Sequence, residues 1–309
     1  MRHSTFTLPT ADGLDLHVER WDPDGVEVVG VVQIAHGMGE HARRYARLAE
    51  QLTAFGWIVM ANDHRGHGLT AGRQEVGEGG LGDLGPNGWP GLVDDLGVVN
   101  QCIEEEFPAL PIVLLGHSMG SFAAQLWVLD HSADIDGLVL SGSTALDVAV
   151  SVMEPGQAAD LSALNAGFDP ARTDFDWLSR DDAEVDAYVD DVLCGFGIDV
   201  SANDGLIAAG QAMADPSILA SIRRDLPILL IAGEADPLNF GLALIKMVEA
   251  RYLDAGIESV TAHYYEGARH EVFNETNRDE VTLRLLDWLA LDVPSAEPNP
   301  TPSPGTGGR

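Results

Sequence analysis

Lysine is almost missing from this chain. Lys246 stands alone beside 16 arginines, and the 17 cations face 49 aspartates and glutamates, a formal net charge of -32 over 309 residues. A field of that sign repels phosphate backbones and anionic lipid surfaces, so nucleic acid is excluded as a partner. Solubility is the plain reading of this charge; a high-salt or GC-rich source, either of which favours Asp, Glu and Arg over Lys, is the sharper alternative. Cysteine is equally scarce. Cys102 and Cys194 are the whole complement, too few for a disulfide framework, and their apolar neighbours suggest buried thiols. No run approaches the roughly 18 apolar residues of a membrane span, which argues against stable membrane insertion. The opening "MRHSTFTLPTADG" lacks an apolar leader core, so a cytoplasmic protein is expected. The sequence carries no signal for an oligomeric state.

What is present is a 45% hydrophobic complement arranged in a repeating order. Short apolar runs, "VVGVVQIAH" (28–36), "WIVMAND" (57–63), "PIVLLG" (111–116) and "GLVLSG" (137–142), alternate with segments of helical period at 43–56, 89–107 and 119–130. Near-continuous apolar strands separated by helices predict an α/β fold with a parallel sheet covered on both faces. A Gly-rich loop fills 64–88. The rhythm stops over 143–221, where Asp-rich helical pieces carry no clear strand. It resumes at "DLPILLIAGEADP" (225–237), then helix 240–255, strand 259–267 and helix 271–290. The expected organisation is therefore a core in two parts, 1–142 and 222–292, with an inserted, mainly helical cap at 143–221. A Pro/Gly-rich disordered tail follows at 293–309.

The chemistry gathers at loops after strands. "LLGHSMGS" (114–121) places Ser118 between Gly116 and Gly120, where an apolar strand meets a small-residue helix. A Gly-x-Ser-x-Gly in that setting is the nucleophile elbow, a strained turn that lifts a serine hydroxyl above the sheet. A serine hydroxyl needs a base, and the base needs an orienting carboxylate. In chain order Ser–acid–His, Asp236 after strand "PILLIAG" supplies the acid and His270 the base; Glu234, two residues earlier, is the rival acid. His270 is expected to open the last helix. "HGMGEH" (36–41) offers backbone amides for an oxyanion hole: Met38 there, with Met119 after the nucleophile. Gly37 and Gly39 let that loop come close.

Taken together, "HGMGEHARRY", "NDHRGHG", "GHSMGS", "AGEADPL" and "YEGARHEVFNE" resemble the monoacylglycerol lipase and lysophospholipase-like branch of the α/β-hydrolases, and "DFDWLSRD" and "CGF" within 143–221 resemble its bacterial members. The resemblance implies Ser118, Asp236 and His270 as the triad, Met38 and Met119 as oxyanion donors, and 143–221 as a lid over an acyl pocket. Gly37, Leu161, Leu164, Phe168, Phe196 and Ile198 are the residues expected to touch substrate. Val152, Met153, Leu193, Leu206 and Ile207 are further candidates, and any of them could instead pack cap on core. The reaction implied is hydrolysis of a single-chain lipid ester through an acyl-serine, with no cofactor. A short-chain or aryl esterase, a thioesterase or a lysophospholipase would use the same triad. A ligand-binding protein on a hydrolase scaffold is the alternative of another kind. A dehalogenase would need Asp at 118, and a peptidase of the proline-iminopeptidase type shares only the fold.

His36, His41, His64 and His67 fall in two loops near the presumed site. No carboxylate or cysteine is arranged around them in the sequence, so no metal is expected and a bracing role is assigned. His117 is expected beneath the elbow, and Arg65 and Glu40 as pairing or capping residues.

Overall fold

The computed structural model describes residues 1–293. Eight strands form one sheet: β1 (Arg2–Pro9), β2 (Asp15–Asp22), β3 (Gly30–Ala35), β4 (Trp57–Asn62), β5 (Ile112–His117), β6 (Gly137–Ser141), β7 (Ile228–Gly233) and β8 (Val260–Tyr265). Their spatial order is β1-β2-β4-β3-β5-β6-β7-β8. From β4 onward the neighbours run parallel; β1 on β2 and β2 on β4 are antiparallel. The chain therefore has the α/β-hydrolase fold's mostly parallel sheet with flanking helices.

The β1–β2 hairpin has no counterpart in the sequence reading. Its outer strand is largely exposed, so polar residues fill one face and the apolar signal that marks the inner strands is diluted. The inner strands are buried on both sides. Along β5, Ile112 and Leu114 join the cluster on one face of the sheet, and Val113 and Leu115 join the other. Along β7, Ile228 and Leu230 face one way and Leu229 and Ile231 the other. That two-sided burial is why these strands read as unbroken hydrophobic runs rather than alternations. Helices α1 (Ala46–Ala54) and α8 (Arg278–Leu291) cover one face. Helices α2 (Gly88–Glu106), α3 (Met119–His131) and α7 (Ala243–Asp254) cover the other.

Among the described residues, 143–221 contains helices and turns and no strand: α4 (Leu146–Ser151), α5 (Asp182–Asp190), α6 (Val200–Ala212) and short 3-10 turns. Part of this span does not stand apart from the core. Ile198, Ala202, Leu206 and Ile207 belong to the same buried cluster as α2 and α3. At the C-terminus, Val293 packs under the sheet with Trp288 and Leu289; the rest of the expected tail lies outside the described residues. The last helix starts at Arg278, with only a 3-10 turn at Val272–Asn274 before it. His270 therefore sits in a loop and does not open the helix. The two cysteines are free and only partly buried, because each lies at an edge of its packing cluster.

Candidate active site

The parallel strands all end on one side of the sheet, and the loops that follow them converge there, where ligands bind in sheets of this kind. Ser118 follows β5 directly and precedes α3. Its backbone lies at φ 50°, ψ -121°, a left-handed conformation for a residue with a side chain. Such strain persists only where the surroundings over-determine it. The Ser118 amide donates to Ser141 O at 2.9 Å, and Ser118 O accepts from the Ser121 and Phe122 amides at 2.8 and 3.1 Å. The two flanking glycines are sterically required. A Cβ on Gly116 would lie 2.7 Å from Gly120 O, and one on Gly120 would lie 2.1 Å from Ala35 O.

Asp236 and His270 come from different loops, after β7 and β8. The imidazole Nδ1 donates to Asp236 Oδ2 at 2.9 Å, and both residues are almost fully buried. The Asp236 carboxylate is held from two further directions: Oδ1 accepts the Leu238 amide at 3.0 Å, and Oδ2 accepts Asn239 Nδ2 at 3.2 Å. Asn239 also donates to Ser143 O at 2.9 Å, tying the acid loop to the end of β6. Glu234, by contrast, is exposed, and its carboxylate meets only the Gly267 amide at 3.4 Å. Burial works to lower the basicity of His270, but the charge and hydrogen bond of Asp236 outweigh it and hold the imidazole above its usual pKa. Its other nitrogen, Nε2, is buried and has no hydrogen-bond partner among the described residues.

The ring of His270 is fixed between two others. His117 lies at 4.9 Å between centroids and Trp177 at 4.8 Å. The stretch around Trp177 also grips this loop through its backbone: the His270 amide donates to Trp177 O at 3.3 Å and the Glu271 amide to Leu178 O at 2.8 Å. Trp177 and Asn239 hold His270 and Asp236 in these contacts, and the sequence reading did not single them out. Trp177 lies far in sequence from His270; Asn239 is three residues from Asp236 but anchors it to Ser143, 96 residues away, and no local pattern marks that anchor. His117 is buried as expected, with Nδ1 3.3 Å from Ser141 Oγ, and burial lowers it to about 4.

The 36–41 loop lies against Ser118: a Cβ on Gly37 would come within 3.1 Å of Ser118 Cβ. The Gly37 amide is already committed to Glu40 Oε1 at 2.6 Å. Glu40 in turn accepts from Tyr45 and Arg44 at 2.9 and 2.7 Å, and Arg44 forks onto Glu271 at 2.6 and 2.8 Å. This buried chain joins the glycine loop to the residue beside His270. Arg65 serves elsewhere, pairing with Asp95 through two 2.8 Å bonds and with Asp12 at 3.1 Å.

His36, His64 and His67 form a tight ring cluster, with centroids 4.2 Å (36–64) and 5.3 Å (36–67) apart. Desolvation lowers His64 to about 3 and His67 to about 4, so the cluster is neutral packing. His36 spends one nitrogen on Gly37 O at 2.7 Å and the other on the His64 amide at 2.9 Å, which braces the glycine loop from below. His41 does not join them; it points toward Asp191 at 3.0 Å.

Ser118, His270, Met38 and Met119 all open on one cavity of about 510 Å³ with overwhelmingly apolar walls. Gly37, Leu161 and Leu164 line it, as do Val152, Met153 and Leu206. Phe168, Phe196 and Ile198 do not. Phe168 packs beside Trp177 and Tyr188 under the Arg269 guanidinium, 4.7 Å from its ring. Phe196 is buried against Leu81 and Ala71. Ile198 is fully buried in the main core. In each case the apolar side chain stabilises the fold from behind the cavity wall.

A family described as serine aminopeptidase, S33, within the Hydrolase_4 group, matches residues 26–277. A monoacylglycerol lipase of Mycolicibacterium smegmatis is 31% identical over 290 residues, 93% of this chain and 96% of that one. The chain belongs to the monoacylglycerol lipase-like α/β-hydrolases. The monoglyceride lipase of Homo sapiens is 29% identical over 93% of this chain and 89% of its own. A thermostable carboxyl esterase of Bacillus coagulans, solved with glycerol, superposes with a TM-score of 0.79 at 27% identity, covering 94% of this chain and 98% of that one. As a member of this group the protein is a carboxylic-ester hydrolase. No helix among the described residues is long and apolar enough to cross a membrane.

Proposed function

We propose that this hydrolase cleaves monoacylglycerols and similar single-chain esters through an acyl-enzyme on Ser118. The observation that carries the reading is the convergence of a strained serine and a buried His–Asp pair on one apolar cavity. His270 Nε2 takes the Ser118 proton as the hydroxyl attacks the ester carbonyl. Asp236 fixes the Nδ1–H tautomer and stabilises the imidazolium that forms. The Met38 and Met119 amides face the developing oxyanion, where preorganised donors act most strongly in a site poor in water. His270 then protonates the departing alcohol, and water, activated by the same ring, releases the fatty acid.

The cavity volume lies within the range of small-molecule sites, and its apolar wall suits an acyl chain better than a peptide. Leu161, Leu164, Val152 and Met153, all from 143–221, form part of that wall; this supports a cap role for the segment. The names of the relatives support the glycerol ester as the head group.

The test pairs a fluorophosphonate label with glycerol release from monoacylglycerols of graded chain length. Stoichiometric labelling of Ser118, lost in Ser118→Ala, together with hydrolysis, is the expected result. Labelling without release of glycerol from any of them would overturn the substrate, and no labelling of the folded protein would overturn the nucleophile.

A further inference from the structure

His41 lies 150 or more residues before Asp191 and Cys194 in sequence, yet one ligand atom from each of the three lies within 4.8 Å of the other two. His41 ends the glycine loop beside the nucleophile. Asp191 and Cys194 belong to the loop after α5, within 143–221. We propose that this trio is a zinc site that clasps the α5 loop to the glycine loop, separate from the reaction itself.

The donor set fits that ion. An imidazole nitrogen, a carboxylate oxygen and a thiolate together suit zinc's borderline-soft character, and with three protein ligands the fourth position would be filled by water, as in open zinc sites rather than closed structural ones. Tetrahedral zinc places such ligand atoms about 3.3–3.6 Å apart. His41 Nε2 and Asp191 Oδ2 stand at 3.0 Å, so the two move slightly apart to admit the ion. The sulfur needs to approach by at most about 1 Å, which is within the reach of a side-chain rotation.

Asp191 Oδ1 accepts the Leu193 amide at 2.9 Å, which turns Oδ2 toward His41. The Cys194 amide donates to Asp191 O at 3.0 Å, and the Gly195 amide donates to Gly39 O at 3.0 Å. The two loops are thus already in register at the point the ion would bridge. Arg44 is the nearby cation, and its charge is offset by Glu40 and Glu271 at 2.7 and 2.6 Å. Burial pushes the Cys194 thiol up, so without an ion it holds its proton. Zinc binding would form the Zn–S bond and release that proton to solvent. The His36, His64 and His67 cluster offers no rival site of this kind, since both nitrogens of His36 are engaged.

The test uses the full chain, stripped with a chelator and titrated with Co²⁺ as a spectroscopic stand-in for zinc. One equivalent should produce a thiolate-to-cobalt charge-transfer band and the visible bands of four-coordinate cobalt, both erased by Zn²⁺. Cys194→Ser should abolish the charge-transfer band. Asp191→Asn, which removes a ligand itself, should weaken binding by more than the roughly 10–100-fold typical of losing a partner that only supports a ligand. Ser118→Ala should bind cobalt as the parent does, which separates this site from the catalytic reading. Zn²⁺ should raise the Tm of the parent by about 2 °C or more and leave Cys194→Ser unmoved. A folded protein that gives no charge-transfer band, or a band that survives in Cys194→Ser, overturns the proposal.

Discussion

Replacing Asp236 by Asn removes one charge and leaves the shape nearly unchanged, so its consequences can be worked out bond by bond. The carboxylate accepts from Leu238 N on one oxygen and from both Asn239 Nδ2 and His270 Nδ1 on the other. An amide has one acceptor and one donor end. With its oxygen toward Leu238, its NH2 meets the Asn239 NH2 and drives His270 into the tautomer protonated on Nε2, which cannot take a proton from Ser118. With its oxygen toward His270, the Leu238 amide is left facing a donor. Either way a buried donor loses its partner, a cost of about 1–3 kcal/mol, and the first arrangement also disables the base. Turnover should fall by a factor of about 10⁴, the scale seen when a triad acid becomes an amide elsewhere. The residual rate should also move on the pH axis. The carboxylate raises His270 above its usual value against the pull of burial, so without it the acidic limb shifts to lower pH. The assay is the pH–rate profile of a short-chain p-nitrophenyl ester, with circular dichroism to show that the variant is folded. A folded Asp236→Asn that keeps a tenth of the parental rate would refute the reasoning, as would an acidic limb that does not move. Glu234→Gln is the control; its exposed side chain predicts a rate within about twofold of the parent.

Ser118→Ala should lower turnover by a factor on the order of 10⁶ while the melt is unchanged, the scale of nucleophile removal in other serine hydrolases; single-turnover kinetics checks it. In the parent enzyme the rate should rise with pH through a value above the ordinary imidazole pKa of about 6.5, because only neutral His270 accepts the proton. Ala149→Phe should fill part of the cavity that Ala149 lines. Displacing two or three methylenes at about 0.8 kcal/mol each predicts a loss of roughly 30-fold for long-chain esters relative to acetate, read from the ratio of kcat/KM values. Glu271 supplies a pH-linked test of stability. Burial raises its pKa, and the charge of Arg44 more than compensates and holds it at about 2. Its contribution is present above the usual carboxylate value and fades as pH falls toward 2. Parent and Glu271→Gln should therefore differ most in Tm near neutrality and converge in acid.

The inner strands were legible in the sequence because they are buried on both faces, which leaves an unbroken apolar run. The turn at Ser118 was legible because only glycine fits where a Cβ would strike Ala35 O or Gly120 O. Asp236 and His270 could be named from chain order and from their place after strands, but their 2.9 Å approach is a property of two loops folded together. The local sequence treats Asp236 and Glu234 alike as turn carboxylates; only in the folded chain does burial separate them, with Asp236 enclosed beside His270 and Glu234 exposed. The tertiary structure alone divided the apolar residues of 143–221 into cavity wall, such as Leu161 and Leu164, and core, such as Phe196 and Ile198. Hydrophobicity says that a side chain avoids water; which surface shelters it depends on what other parts of the chain bring alongside. Trp177, Asn239 and the His41–Asp191–Cys194 trio escaped the sequence for the same reason. Each has at least one neighbour brought from far along the chain, and spacing records only neighbours along one helix, strand or turn.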